Sequence, residues 1–540
     1  MLTVNNLSVQ FGKRILFDEV NITFTSGNCY GIIGANGSGK STFLNILSGK
    51  IEGNKGTISL ESGKRISVLE QNHNSHDKHQ VLETVIRGNK KLFSIKQEMD
   101  NIYSNENFSD TDGERVGELQ VVYEEMDGWN AESDAATLLS NLGISEELHY
   151  KIMEDLDGKH KVKVLMAQAL FGNPDVLIMD EPTNDLDYHT INWLENFLSN
   201  YENTVIVVSH DRHFLDAVCT HISDIDFGKI NHYSGNYTFW HQSSQLAARQ
   251  KAQANKKAEE KKKELQEFID RFSANVAKSK QATSRKKMID KLNIHEIRPS
   301  SRRYPGIIFQ QEREAGDQVL NIENLSYSIG NDVLFSNVNI NLNKSDKVIV
   351  LSKDSRTITS FFQILTDNLK ATTGKYDWGI TTKHAYLPID NEYLFKGDLS
   401  LVDWLRQWTH IEEEREELFI RGFLGKMLFS GDEALKSSKV LSGGEKVRCM
   451  LSKMMMIKAN VLIIDEPTNH LDLESITAFN NSLINFKGAL LLSTKDHHFA
   501  QSLGNRILEL TPKGIIDRFS KFEDYMGNDK IKKLRQDLYS

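Results

Sequence analysis

The sequence predicts an α/β protein made of two tandem copies of one fold, joined by a long basic helical connector. Three observations carry this prediction. First, the two half-chains repeat: NLSVQFGKRILFDEVNITF at 6–24 answers NLSYSIGNDVLFSNVNINL at 324–342, and VLIMDEPTNDLD at 176–187 answers VLIIDEPTNHLD at 461–472. Second, apolar strand-length runs alternate with helical patterns in each half, which is the signature of a sheet with crossover helices. Third, residues 240–298 contain no proline and are rich in Ala, Lys, Glu and Gln. The expected boundaries are 1–239 for the first copy, 240–315 for the connector and 316–540 for the second copy.

The bulk properties narrow the class. A chain of 540 residues with 39% apolar and 26% charged residues has the composition of a globular protein in several domains. No stretch reaches the ~18 uncharged apolar residues of a membrane helix. The opening MLTVNNLSVQFGKR is not a secretory leader, so a cytosolic location is expected. Cys29, Cys219 and Cys449 are far apart and lack metal-like spacing, so they read as buried reduced thiols. The net charge is −9, yet 249–303 holds 17 Lys/Arg against 7 Asp/Glu, a surplus of +10 that leaves −19 elsewhere. A basic segment in an acidic protein points to a polyanionic partner.

In the first copy, GANGSGKS at 34–41 lies between an apolar strand, CYGIIG, and a helix, TFLNILSG. This is a phosphate loop. Gly34, Gly37 and Gly39, with Asn36 and Ser38, let backbone N–H groups approach phosphates, and the helix starting near Thr42 adds its dipole. Lys40 is expected on the β- and γ-phosphates and the Ser41 hydroxyl on Mg²⁺. VLIMDE at 176–181 ends a strand in two carboxylates. Asp180 would hold Mg²⁺ through water, and Glu181 would act as general base on the attacking water. His210, 30 residues after Asp180, would contact the γ-phosphate, and Gln71 would sense the metal and the water. Phe11 reads as an adenine-stacking ring, with a buried core aromatic as the close alternative.

Counting from the repeat anchors finds the same positions in the second copy. Lys40 to Gln71 is 31 residues, as is Ile358 to Ile389; Asp180 to His210 is 30, as is Asp465 to Lys495. SKDSRTIT at 352–359 therefore stands for the phosphate loop, with Ile358 for the lysine, Ile389 for the glutamine and Lys495 for the histidine. Ser355 and Thr357 replace glycines and put side chains where backbone must meet phosphate. In return, copy two keeps LSGGE at 441–445, where copy one reads LDGKH at 156–160. Asp465 and Glu466 survive; they are expected to bond their own strand end and so position the 469–472 segment, the alternative being a nucleotide bound weakly there and not hydrolysed.

Lys40 to Leu156 spans 116 residues but Ile358 to Leu441 only 83, so the first half holds 33 extra residues. They are placed near 88–126 as a helical hairpin, with Leu92, Ile95, Met99 and Ile102 on one helix and Val116, Leu119, Tyr123 and Met126 on the other. The polar stretch 104–113 is the turn. In the connector, Leu265, Phe268, Ile269, Phe272 and Val276 form one apolar stripe, and FSANVAKSKQATS at 272–284 reads as a bend between two long helices. About 30 residues of helix reach roughly 45 Å.

Both halves resemble ABC ATPase domains. The tandem arrangement, the DEPTN…LD blocks and the basic connector resemble the ABC-F family, closest to its YbiT-type bacterial subgroup, with YSGNYTFW at 233–240 and RFSANVAKSKQATSRKKMIDKL at 271–292 as the most specific matches. The resemblance implies head-to-tail packing of the two domains around ATP. Site one would join Lys40, Ser41, Gln71, Asp180, Glu181 and His210 to Ser442, Gly443, Gly444 and Glu445, with the 469–472 segment closing on the same nucleotide. Site two would face Asp157 and Lys159, which replace a signature serine and glycine. The resemblance further implies a translation factor bound at the tRNA exit region of the ribosome, its linker 249–303 and arm 88–126 meeting rRNA and tRNA, with no membrane or DNA partner. Three alternatives stand beside it: the ATPase subunit of a membrane transporter, a regulatory ABC protein whose ATPase has mostly decayed, and a ribosome-protecting antibiotic-resistance factor.

Overall fold

A computed structural model describes the chain except residues 13, 71, 106–107, 185, 273–283, 285–287, 290–301, 410, 469–470 and 540. Each copy contains a six-stranded sheet and a three-stranded antiparallel sheet. In copy one the strands are β1 (Leu2–Phe11), β2 (Arg14–Phe24), β3 (Cys29–Gly34), β4 (Lys55–Leu60), β5 (Ile66–Val68), β6 (Val176–Asp180), β7 (Thr204–Val208), β8 (His221–Asp226) and β9 (Lys229–Ser234). The larger sheet has the order β5-β6-β7-β3-β8-β9, parallel except for the β8–β9 edge hairpin. Copy two repeats it with β10 (Gln318–Ile329), β11 (Asp332–Asn343), β12 (Lys347–Leu351), β13 (Thr373–Trp378), β14 (His384–Leu387), β15 (Val461–Asp465), β16 (Ala489–Ser493), β17 (Arg506–Thr511) and β18 (Gly514–Arg518), in the order β14-β15-β16-β12-β17-β18.

The sequence explains the layers. The central strands are continuous apolar runs, CYGIIG, VLIMD and TVIVV, buried along nearly their whole length because helices cover one face and the small sheet with helix Lys40–Leu47 covers the other. The small sheet shows the other pattern: in β1, Leu2, Val4, Leu7 and Val9 turn inward and their neighbours are more exposed. Close approach explains two glycines. A Cβ at Gly31 would lie 2.9 Å from the Cys219 sulfur, and one at Gly34 would lie 2.8 Å from the Ile225 carbonyl. The same packing brings Cys29 Sγ within 3.8 Å of Cys219 Sγ, a proximity their sequence separation hid. All three cysteines are buried.

The surplus stretch of copy one holds helices Lys90–Tyr103 and Asp110–Glu125. Leu92, Ile95 and Met99 on the first and Val116, Leu119 and Tyr123 on the second are buried. Ser109 and Asp112 form a reciprocal capping box that starts the second helix. The connector begins as one helix, Tyr237–Phe272, with Leu265 buried at 7% exposure. The bend expected at 272–284 falls almost entirely outside the described residues. No helix among the described residues is long and apolar enough to cross a membrane.

Candidate functional site: a cleft between the two copies

The phosphate loop leaves β3 and turns into the helix Lys40–Leu47. Its N-cap residue, Gly39, has φ 100° in the left-handed region and offers no side-chain cap. The first-turn N–H groups are thus left for a ligand. A Cβ on Gly39 would stand 2.8 Å from the Phe17 ring, so the turn admits only glycine. Lys40 Nζ donates to the Gly34 carbonyl at 2.9 Å. The Ser38 hydroxyl is buried with no hydrogen-bond partner. An unpaired buried hydroxyl beside an uncapped helix start suits an anion.

The carboxylates come from the end of β6, held against β7 by the Asp180–Val208 register. Glu181 follows in a left-handed conformation, φ 52°, its N–H bonded to the Val208 carbonyl at 2.8 Å. The Glu181 Oε2 accepts from the His210 N–H at 3.2 Å, and His210 Nε2 lies 3.4 Å from Oε1. Burial pushes Glu181 up to about 8. Burial, and then the Lys40 charge, push His210 down to about 4. Burial also lowers Lys40, opposed by Glu181 and by Glu474 and Asp472 of copy two. A cation beside Asp180 would bring Glu181 back toward its ionised form.

These groups line one cleft of about 570 Å³, with Phe11, Asn36, Gly37, Gly39, Lys40, Ser41, Thr42, Asp180, Glu181 and His210 on its walls. Phe11 is half-exposed at the end of β1 and faces this cleft. Leu16, Asn184 and Val208 complete the copy-one side, and Thr468 and Leu471 enter from copy two. Gln71 and Asn469 lie outside the described residues. Ser442, Gly443, Gly444 and Glu445 are not among the lining residues. Ser442 and Glu445 form a capping box at the start of helix Gly443–Ile457, and Gly443 lines a separate cavity with Asp465 and Glu466. Thr468 and Leu471 of copy two therefore meet the cleft, and the described signature residues do not.

The second loop is built differently. Asp354 caps the helix Ser355–Leu365, accepting from the Arg356 N–H at 2.9 Å. A carboxylate of the chain itself thus occupies the helix start that copy one leaves open. Thr359, which stands for Ser41, donates to Asp465 Oδ2 at 2.7 Å, closing directly the gap a metal would bridge. Ile358 is buried at 7% exposure. The Lys353 N–H donates to the Tyr539 hydroxyl at 3.0 Å, so the C-terminal helix Asp529–Tyr539 lies against the loop. Across the interface, Lys159 donates to the Ser355 hydroxyl at 3.0 Å, and Asp157 caps its own helix by accepting from His160 N–H. Asp465 and Glu466 are buried, and burial raises them to about 6 and about 7. Glu466 Oε2 accepts from the Lys495 N–H at 3.1 Å, as Glu181 does from His210.

Comparison with known proteins agrees with this geometry. The family model described as ABC transporter matches residues 17–184 and 335–469, and an extension model of the same description matches 223–309. The "Uncharacterized ABC transporter ATP-binding protein YkpA" of Bacillus subtilis is 55% identical over the full length of both chains. The "Probable ATP-binding protein YbiT" of Escherichia coli O157:H7 is 43% identical over 98% of this chain and all of its own. Among solved structures, RNase-L Inhibitor aligns over 99% of both chains with a TM-score of 0.61 at 16% identity. Archaeal aABCE1, described as a ribosome recycling factor and solved with the ribosomal stalk protein aP1, aligns over 99% of both with a TM-score of 0.59 at 15% identity. At such identities these two show a shared tandem fold. An intact phosphate loop in the first copy, an occluded one in the second and full-length relatives of one kind lead to one assignment: the chain belongs to the ABC family of ATPases and, within it, to the YbiT-type ABC-F proteins, with a degenerate second nucleotide-binding domain.

Proposed function

We propose that this chain is a cytoplasmic, ribosome-associated translation factor that binds and hydrolyses ATP at one composite site. Lys40 and the loop amides hold the phosphates, Ser41 and Asp180 hold Mg²⁺ with Gln71, Glu181 is the general base, and His210 orients the water. Phe11 stacks on the adenine. Copy two contributes the 468–472 segment and, on closure of the two halves, Ser442–Glu445. The observation that carries the one-site reading is the contrast between the two helix starts: uncapped at Lys40, capped by Asp354 at Ser355. Asp354 and the Thr359–Asp465 bond stand where phosphate and metal would bind.

The ribosomal part of the proposal rests on charge and on kinship. The linker 249–303 carries a surplus of +10 in an otherwise acidic chain, suited to rRNA or tRNA phosphates. The arm 88–126 is a second projecting element of the kind that ABC-F proteins use on ribosomes. The test is to pellet Glu181→Gln with 70S ribosomes in ATP. The variant should be trapped closed and enriched in the ribosome pellet. Equal recovery with and without ATP would refute the proposal.

A further inference from the structure

At the exit of the linker one arginine joins three parts of the molecule. Arg302 donates to both oxygens of Asp224 on β8 of the copy-one sheet, Nη2 to Oδ1 at 2.6 Å and Nη1 to Oδ2 at 3.2 Å. Its Nε lies 2.8 Å from Oε1 of Glu474, in the first turn of the copy-two helix Leu473–Asn485. Its guanidinium stacks over Trp240, near the start of the linker helix, 4.7 Å from the ring centroid. Asp224 and Glu474 are both buried, at 8% and 6% exposure. Only a planar fork satisfies two carboxylates and a ring at once.

Glu474 is not remote from the nucleotide cleft. It stands two residues after Asp472, which caps the same helix, and both lie within electrostatic reach of Lys40. Thr468 and Leu471, just before them, line the cleft. Arg212 of copy one grips the same segment, donating to the Leu473 carbonyl at 3.2 Å.

The repeat supplies an internal control. Beyond the 33-residue insertion, adding 285 to a copy-one number gives its copy-two counterpart, as Asp180 and Asp465 show, so Asp224 answers to Glu509, His189 to Glu474 and Trp240 to Tyr525. At the mirror position an arginine is present again, now from the C-terminal helix: Arg535 Nε lies 2.9 Å from Glu509, which also accepts from the Tyr525 hydroxyl at 2.7 Å. The residue across the interface there is His189. Burial and then the Arg535 charge hold its pKa below the ordinary value. The Arg302–Glu474 ion pair between halves thus stands on the side of the competent site, and the mirror position holds a histidine in place of the carboxylate.

We infer that Arg302 is a positioning residue for ATP turnover: it holds copy-two segment 471–474 against site one and ties that segment to both roots of the linker. This rests on the composite-site reading. Loss of the guanidinium would leave Asp224 and Glu474 buried without a counter-charge, so the milder Glu474→Gln is the primary test. It removes the Arg302 contact across the halves, together with the Glu474 charge that Lys40 feels, and leaves Arg302 on Asp224; Arg302→Lys keeps that charge and separates the two effects.

The experiment measures steady-state ATP hydrolysis by the full chain and hydrogen exchange at 237–245 with and without ATP. Glu474→Gln should lower kcat about tenfold, as expected for a displaced catalytic neighbour. It should also abolish the protection that ATP gives 237–245. Arg302→Lys should do the same, and the double variant should be no worse than either single one. His189→Gln, the mirror substitution, should keep kcat within about twofold, a shift of ordinary surface-substitution size. Wild-type kcat or retained ATP-dependent protection in Glu474→Gln overturns the inference, as does an equal loss in His189→Gln. If Glu181→Gln itself turned over normally, the composite-site reading would fail instead.

Discussion

At the residue scale, the two copies put the same carboxylate in the same strained place and give it different work. Glu181 and Glu466 both have left-handed backbones, φ 52° and 45°, and both accept the N–H 29 residues on. Glu181 faces a cleft with Lys40, whereas Glu466 bonds Ser493 within its own sheet end. Glu181→Gln should therefore slow hydrolysis about 100-fold or more, the usual loss for a general base, and Glu466→Gln should leave it nearly unchanged. A comparable loss in both would contradict one-site catalysis. Acid–base behaviour gives a second expectation. Burial raises Glu181 from its ordinary 4.5 to about 8, so its contribution to stability is present below 4.5 and is lost as pH rises toward 8. Without nucleotide, Glu181→Gln should gain on wild type across that window, on the order of 1 kcal/mol per pH unit. Thermal unfolding at pH 5 and pH 8 measures the difference; a gap that does not widen with pH rules the burial argument out. The positions of Lys40, Asp180, Glu181 and His210 were legible because each sits at a fixed distance from a strand end. The Asp354 cap and the Thr359–Asp465 bond were not. The sequence indicates which residues were lost from the second loop, but what fills their space depends on side-chain directions that spacing does not encode.

At the element scale, the degenerate loop is a refolded helix start rather than an unfinished site. Three substitutes act together: the Asp354 cap, the direct Thr359–Asp465 bond and Tyr539 on the Lys353 N–H. Restoring the missing cation alone should therefore fail. Ile358→Lys is expected to bind one nucleotide per chain, as the one-site proposal expects of wild type, because a carboxylate still occupies the helix N-terminus. Equilibrium titration with a fluorescent ATP analogue gives the stoichiometry; two per chain would mean that Ile358 was the only obstacle. The arm was legible for a different reason. A surplus of 33 residues between matched motifs has to go somewhere, and its apolar spacing gives two helices. The second helix starts at Asp110, inside the stretch expected to be the turn, because Ser109 and Asp112 cap it there.

At the scale of the whole molecule, the repeat places two similar halves face to face, and their differences decide what each interface can do. One cleft meets Thr468 and Leu471 of copy two, and the mirror cleft is crossed by Lys159 on Ser355. The linker is where the charge of the molecule is concentrated, and a polyanion should feel it through counterion release. Lys261, Lys262 and Lys263 are exposed on the first linker helix, and Lys261 makes a 3.1 Å contact with Glu264 one turn on. Surface pairs of that kind are weak and do not compete with a phosphate. If the linker lies along ribosomal RNA, each lysine neutralises a phosphate and adds roughly 0.7 to 0.9 to the slope of log binding constant against log salt. Replacing all three with glutamine should then reduce that slope by about 2 and weaken binding most at low salt. Pelleting Glu181→Gln, with and without the triple substitution, over a series of potassium chloride concentrations measures it. Parallel lines of unchanged slope would mean that the basic face of this helix does not touch the ribosome. Equal binding at every salt concentration would locate the contact elsewhere on the chain.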